Sequence, residues 1–200
     1  MSIFSKNQPS RAIGGFSLIE LMVTVTIVTM VTGLALVRYS SFNSTVLLNS
    51  QAYEVALDVR QTQLYSLSAG SVSQSVNSNV DARFRQPYGL EFRRDNPIQY
   101  SIFQDIDEDD QGDANEVFER MFLGTDFSIG ELCVNGSTCS ENEGAFVEVI
   151  FKRPDFNAKF RTNIGGSSLT ITSVSIRLVD DQNNLTRDIV IDESGYVTVE

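Results

Sequence analysis

Gly14-Gly15-Phe16-Ser17-Leu18-Ile19-Glu20-Leu21 opens an apolar run that continues to Val37. Two glycines end a short polar leader, and a hydrophobic helix is expected to start directly behind them. Residues 16–37 number 22, about 33 Å of helix at 1.5 Å per residue, which matches a bilayer core. Arg38 ends the run. Glu20 is the fifth residue of that helix. A carboxylate so close to hydrocarbon is costly without a partner, so the run reads as a docking surface as well as an anchor. A plain single-span anchor, with Glu20 snorkelling to the interface, satisfies the same hydropathy.

Lys6 and Arg11 are the only charged residues of 1–15. They precede the apolar run and are expected to stay in the cytoplasm, which sends the remainder of the chain outward. The leader lacks the apolar centre of an ordinary secretory signal.

Beyond the membrane-length run the helix is expected to continue to about Ser68, since no proline falls between Pro9 and Pro87. That makes a helix of roughly 80 Å. Val46, Tyr53, Leu57, Leu64 and Leu67 share one broad face, with Ala52, Ala56 and Val59 beside it. Asn49, Gln51, Glu54, Asp58, Gln61 and Gln63 fill much of the rest. The second half is amphipathic, so a globular domain should pack on the second half only. Gly33 reads either as a flexible point or as a tolerated small residue of a membrane helix. Ala69-Gly70 reads as the stop, and the Ser/Asn-rich residues 71–80 as a loop.

The remainder reads as β. Tyr88–Arg93 and residues 98–103, separated by Arg94-Asp95-Asn96-Pro97, suggest a hairpin. Further strands are expected at 116–123, Phe127–Val134, Phe146–Phe151, 169–179 (with a bulge near Thr172-Ser173), 185–191 and 196–199. Asp192-Glu193-Ser194-Gly195 and Gln182-Asn183-Asn184 are turns. One long helix followed by antiparallel strands is an α+β arrangement.

Composition narrows the function. The net charge is −11 over 200 residues, and the chain after Gly15 holds 13 basic against 26 acidic residues. Such a surface repels phosphate backbones, so nucleic acid is not an expected partner. With no histidine, catalysis by a histidine base and zinc ligation by histidine are excluded. No phosphate-binding loop, dinucleotide fingerprint or nucleophile elbow is present. Cys133 and Cys139 read as one local disulfide in an oxidising compartment, or as two free thiols in a loop.

The stretch from Gly15 to Leu21 resembles the prepilin cleavage and methylation motif of type IV pilins and type II secretion pseudopilins. The resemblance implies a pilin-like protein that is not an enzyme. A membrane peptidase would cut between Gly15 and Phe16 and methylate the new amine of Phe16. Glu20 would pair with the N-terminal amine of a neighbouring subunit during docking. The implied partners are the prepilin peptidase, other pilin or pseudopilin subunits contacted through the N-terminal helix, and an inner-membrane assembly platform. The implied location is the inner membrane, with the C-terminal domain periplasmic and later in a pilus or pseudopilus.

The implied organisation is a leader at 1–15, a transmembrane and filament-core helix at 16–38, its amphipathic continuation at 39–70, and an exported β domain at 71–200. Val59-Arg60-Gln61, the segment from Phe151 to Phe156, and Arg187-Asp188-Ile189-Val190-Ile191 with Gly195-Tyr196-Val197-Thr198-Val199 are similar to minor subunits of the GspH/FimT type. The family's usual glycine after the Phe-x-x-Pro segment is replaced here by Asp155-Phe156-Asn157. DNA binding of the kind known for some FimT-type pilins would need a basic C-terminal region. Here Asp180, Asp181, Asp188, Asp192, Glu193 and Glu200 outnumber Arg177 and Arg187.

The segment from Asp105 to Glu119 holds eight acids. Alternate acids at Asp105, Asp107 and Asp109, with Asp113 and Glu116 beyond, suit a structural calcium ion, because alternate side chains can converge on one hard cation. The EF-hand pattern fails, since Asp110 stands where a glycine is required. A solvated acidic turn is the other reading, and no cofactor is required by either. Two functions are therefore weighed: a processed, assembling structural subunit, and a membrane-anchored binding or adhesion module delivered by a pilin-type signal.

Overall fold

A computed structural model of the chain describes Gly15 and residues 17–67, 86–154, 157–166, 169–180, 182 and 184–200, with backbone alone for 37–43. The leader before Gly15, Phe16, the helix stop at Ala69-Gly70, the loop at 71–80, Arg83, Arg85 and Asp155-Phe156 lie outside the described residues. The elements are α1 (Leu18–Leu67), β1 (Tyr88–Arg93), β2 (Gln99–Gln104), β3 (Val117–Phe122), β4 (Phe127–Val134), β5 (Thr138–Ser140), β6 (Phe146–Phe151), β7 (Ala158–Thr162), β8 (Ser173–Asp180), β9 (Leu185–Asp192) and β10 (Val197–Val199). This is an α+β chain, one helix followed by antiparallel strands. It divides into two compact units, Met1–Phe42 and Asn43–Glu200.

In the first unit α1 is apolar and uncovered. Its residues Leu18–Leu36 form a 19-residue stretch of mean hydropathy 2.0, long enough to cross a membrane, and none of it is buried. Threonine is a poor lipid-facing residue unless its hydroxyl is satisfied. Here Thr24 Oγ1 donates to Leu21 O (3.0 Å), Thr26 Oγ1 to Met22 O (2.8 Å) and Thr29 Oγ1 to Val25 O (3.0 Å). Each hydroxyl is thus hidden in the helix's own backbone.

The second unit is built from residues 43–67 of α1 and two five-stranded sheets. Sheet A runs β3-β2-β1-β6-β7 and sheet B runs β10-β9-β8-β4-β5, with each neighbouring pair antiparallel. Leu90, Phe92, Val147 and Val149 of sheet A, Ile129, Leu132, Ile176 and Ile189 of sheet B, and Leu48, Ala52, Val55 and Val59 of α1 belong to one core cluster.

The helix face that enters this core takes Ala52 and Val59 but not the larger apolar residues grouped with them. Leu48, Ala52, Val55, Val59, Thr62 and Ser66 are buried, at steps of three and four residues, while Tyr53, Leu57 and Leu64 are 59%, 67% and 65% exposed. The buried stripe is made of small side chains, which let the helix lie close to the strands. Its hydroxyls cost little to bury, because Thr62 Oγ1 donates to Asp58 O (2.8 Å) and Ser66 Oγ to Gln63 O (2.7 Å).

Three polar ties hold the helix to the sheets. Tyr100 Oη donates to Asp58 Oδ2 inside the core. Gly124 N donates to Gln51 Oε1 (3.0 Å), and Arg187 Nε donates to Asn49 Oδ1. A fourth caps the helix end: Arg153 Nε donates to Ser66 O (2.9 Å) and its Nη2 to Leu67 O. A cation on the last carbonyls satisfies acceptors that no intrahelical amide can reach, and it opposes the negative end of the helix dipole. Burial, followed by the hydrogen bond to Asp58, holds the Tyr100 phenol well above its usual range.

Replacing Tyr100 by phenylalanine leaves the Asp58 carboxylate buried without its donor. A hydrogen bond to a charged group is worth about 1.5–3 kcal/mol, so Tyr100→Phe is expected to lose about that much stability. The urea midpoint of the detergent-solubilised chain, at unchanged m-value, measures it. A midpoint equal to wild type would show that Asp58 finds water instead.

The strands differ from expectation in three places. The strand expected at 169–179 begins only at Ser173, so the expected bulge at Thr172-Ser173 is instead its start. The irregularity lies in the partner strand, between Ile129 and Glu131. A β-carbon at Gly130 would stand 2.1 Å from Val179 Cγ2, so the kink requires glycine there. The third difference is two unexpected strands, β5 and β7.

Candidate functional site

The N-terminal site rests on one turn of helix. Leu21 N donates to Ser17 O (3.1 Å), which opens α1 immediately after the glycines. Gly15 is exposed, and a β-carbon added there would meet nothing within 4 Å. Among the described residues, no contact demands a glycine at that position. Glu20 is exposed in the first turn of α1, where a carboxylate complements the positive end of the helix dipole. Among the described residues nothing pairs with it. Phe16, whose amine would be the methylated group, lies outside the described residues.

Cys133 and Cys139 are bonded, at an S–S distance of 2.07 Å. They are direct register partners on β4 and β5. The connection turns through Asn135 and Gly136 at φ 52° and 66°, the left-handed pair that Asn-Gly adopts readily. Reduction opens a loop of seven residues, and chain entropy sets the loss at about 2 kcal/mol. A reductant should therefore lower the unfolding midpoint of the chain. An unmoved midpoint would mean that β5 contributes nothing to stability.

The acidic segment folds around its own carboxylates. Asp105, fully buried, accepts from Asp109 N (3.2 Å) and Asp110 N (3.1 Å). Glu116 accepts from Ile106 N (2.6 Å) and Asp113 N (3.2 Å). Outside the loop, Lys159 pairs with Asp110 (2.8 Å) and Lys152 with Glu108 (3.4 Å). Burial raises the pKa of Asp105 against the lowering effect of the loop amides.

Asp105, Asp107 and Asp109 each bring a carboxylate oxygen within 4.8 Å of the other two. Asp113 and Glu116 do not join that group. Calcium takes six to eight oxygens. Three carboxylates, one already holding two amides, make an incomplete shell, so the set fits calcium only in part.

Elsewhere the charges are structural. Glu148, 1% exposed, accepts from Arg161 Nη1 (2.8 Å); burial raises its pKa and Arg161 opposes the rise. Arg93 pairs with Glu91 (2.9 Å) and Asp95 (3.0 Å), and it holds the Asp95 carboxyl below its usual range. Arg94 donates to the carbonyls of Ile129 and Glu141. Arg153 and Arg187 act on α1. Their roles, capping α1 and meeting Asn49, depend on partners 87 and 138 residues away.

A family model described as the prokaryotic N-terminal methylation motif matches residues 10–36. The comparison with curated proteins gave no match, and neither did the comparison with solved structures. The matched segment takes in Gly15, Phe16 and Glu20 and the whole of the uncovered apolar stretch. This prepilin-type motif, at the head of a helix long enough to span a membrane, supports a type IV pilin-like protein.

Proposed function

We propose that this chain is a structural pilin-like subunit of a type II secretion pseudopilus or type IV pilus. It is made as a precursor, held in the inner membrane with its β domain outside the cytoplasm, cut after Gly15 and methylated on Phe16. The methylation motif heading the exposed apolar stretch Leu18–Leu36 carries this reading. Nothing within the described residues covers that helix, so lipid must cover it first. Burial against the helices of other subunits would then replace lipid contacts with packing and with the pairing of Glu20 to a neighbour's amine. The likeness of the segments around Arg153 and Arg187 to GspH/FimT-type minor subunits, together with their ties to α1, supports a minor subunit.

The test is the mass of the N-terminal peptide of protein taken from membranes of a host with the peptidase. A chain beginning at Phe16 and carrying one added methyl group is expected. A chain still beginning at Met1 would overturn the proposal. Cross-links from residues 16–37 to other pilin-like subunits would set it apart from a binding module that remains a monomer.

A further inference from the structure

The far end of the acidic segment walls a cavity on the outer face of sheet A. Glu91, Ser101 and Arg120 are register partners across β1, β2 and β3, so they share one face, opposite to the core-facing Leu90 and Tyr100. Gly112 rests against the Phe103 ring, where a β-carbon would stand 2.9 Å from Cδ1, and its amide reaches Glu148. This holds residues 112–114 over the sheet. The cavity they leave measures about 290 Å³, at the lower end of small-molecule sites, which begin near roughly 300 Å³. Part of its wall is fixed before any ligand arrives: Arg93 is committed to Glu91 (2.9 Å) and Asp95 (3.0 Å), and Ser101 Oγ donates to Glu91 Oε2 (3.4 Å). Asn96, Gln99, Asp113 and Arg120 also line it, and among the described residues their side chains have no partner.

We propose that this cavity is a binding site for a neutral saccharide, one ring within it and a second over its rim. The inference goes beyond the pilin-like reading and does not depend on it. The lining selects the ligand class by what it leaves unsatisfied. Its carboxylates, Glu91, Asp95 and Asp113, outnumber its guanidinium groups, Arg93 and Arg120, so an anion enters against a net negative charge. A calcium-like cation needs six to eight oxygens, and two of the three carboxylates are already tied to Arg93. An apolar ligand would strip water from four unpartnered polar groups and return no hydrogen bond. A dipeptide suits Arg120 and Asp113 but leaves the amides of Asn96 and Gln99 unused. A sugar hydroxyl both donates and accepts, and a ring carries several, so one ligand meets amide, carboxylate and guanidinium together. Phe122 lies opposite Gln99 in the register, on the same face, and is 67% exposed. Its ring offers a negative π face to the C–H groups of a second sugar ring.

The experiment is saturation-transfer NMR on the full-length chain in dodecylphosphocholine, a detergent without a sugar headgroup. The probes are maltose, lactose, cellobiose and diacetylchitobiose, with glycylglycine, sodium phosphate and calcium chloride titrated calorimetrically as rivals. At least one disaccharide is expected to bind with a dissociation constant near about 1 mM. Ala114→Trp fills the cavity from an exposed position and should abolish the signal at an unchanged urea midpoint. Arg120→Ala, also at an exposed position, should weaken binding about tenfold or more, the loss that a hydrogen bond to a charged group of about 1.5–3 kcal/mol implies; it carries the test if the tryptophan variant unfolds. Binding by none of the four disaccharides, or disaccharide binding indifferent to Arg120→Ala, would overturn the proposal. So would glycylglycine, phosphate or calcium binding that Arg120→Ala or Ala114→Trp removes while no sugar binds.

Discussion

Gly15→Ala is expected to leave the chain at precursor length, with the mature form reduced at least about tenfold, the factor that corresponds to 1.4 kcal/mol at the cleavage transition state. The effect is assigned to the peptidase, because among the described residues the fold offers no other source. Gly15 is exposed and its missing β-carbon points into open space, so alanine strains nothing in the chain itself. Glycine differs from alanine in admitting an extended or left-handed backbone without steric cost, which matters where a narrow site must draw the chain straight. A C-terminal antibody on a denaturing gel separates precursor from mature protein. Mature protein of normal size and amount in this variant would sink the claim that Gly15 is the processing residue. The same variant should still fractionate with membranes, since residues 18–36 are untouched.

What could be read from sequence divides along the range of the interactions involved. β1 and β6 have the bounds that alternation indicates, because each sends aliphatic or aromatic residues to one face at a period of two; β4 also has the expected bounds, although the irregularity between Ile129 and Glu131 breaks its alternation. β5 and β7 were not legible. The first is three residues held by the Cys133–Cys139 pair, and the second is a five-residue edge strand with a single large apolar residue, Phe160, too short a run for its alternation to stand out.

The helix was legible and its packing face was not, for a specific reason. Periodicity weighs large apolar side chains, and here those lie outward. The core instead takes Ala52, Val55, Val59, Thr62 and Ser66, together with Asp58, whose polar end is met by a tyrosine 42 residues further on. The N-terminal site shows the opposite balance. Gly15, Phe16 and Glu20 stand within six residues of one another, so their pattern survives in the sequence. The acidic loop is intermediate: spacing foresaw the convergence of Asp105, Asp107 and Asp109 but not that Asp105 turns inward to organise its own loop.

Glu20→Val is expected to give a chain that is still processed and still anchored but incorporated into filaments at least about a hundredfold less. Three local terms are small or favour the variant. Losing a carboxylate at the first turn forfeits about 0.3–1 kcal/mol of helix-dipole stabilisation. Valine lowers helix propensity by less than about 0.7 kcal/mol. Removing a charge from the membrane segment makes insertion easier, by up to about 2.5–3.5 kcal/mol on insertion scales. Weaker anchoring therefore cannot explain lost assembly. What remains is the partner. In the proposed contact Glu20 neutralises the amine of a neighbour in a dry, apolar setting, and removing one member of a buried ion pair costs about 3–5 kcal/mol. A cost of 3 kcal/mol is already more than a hundredfold in an association constant. Among the described residues Glu20 has no partner within its own chain, and a partner on another molecule accounts for the expected loss. Sheared or cross-linked filament fractions, compared with total processed protein, measure the effect. Incorporation equal to wild type would remove the docking role and leave Glu20 as an exposed charge at a helix start, whereas partial incorporation of Glu20→Asp would mark the carboxylate itself as the required group.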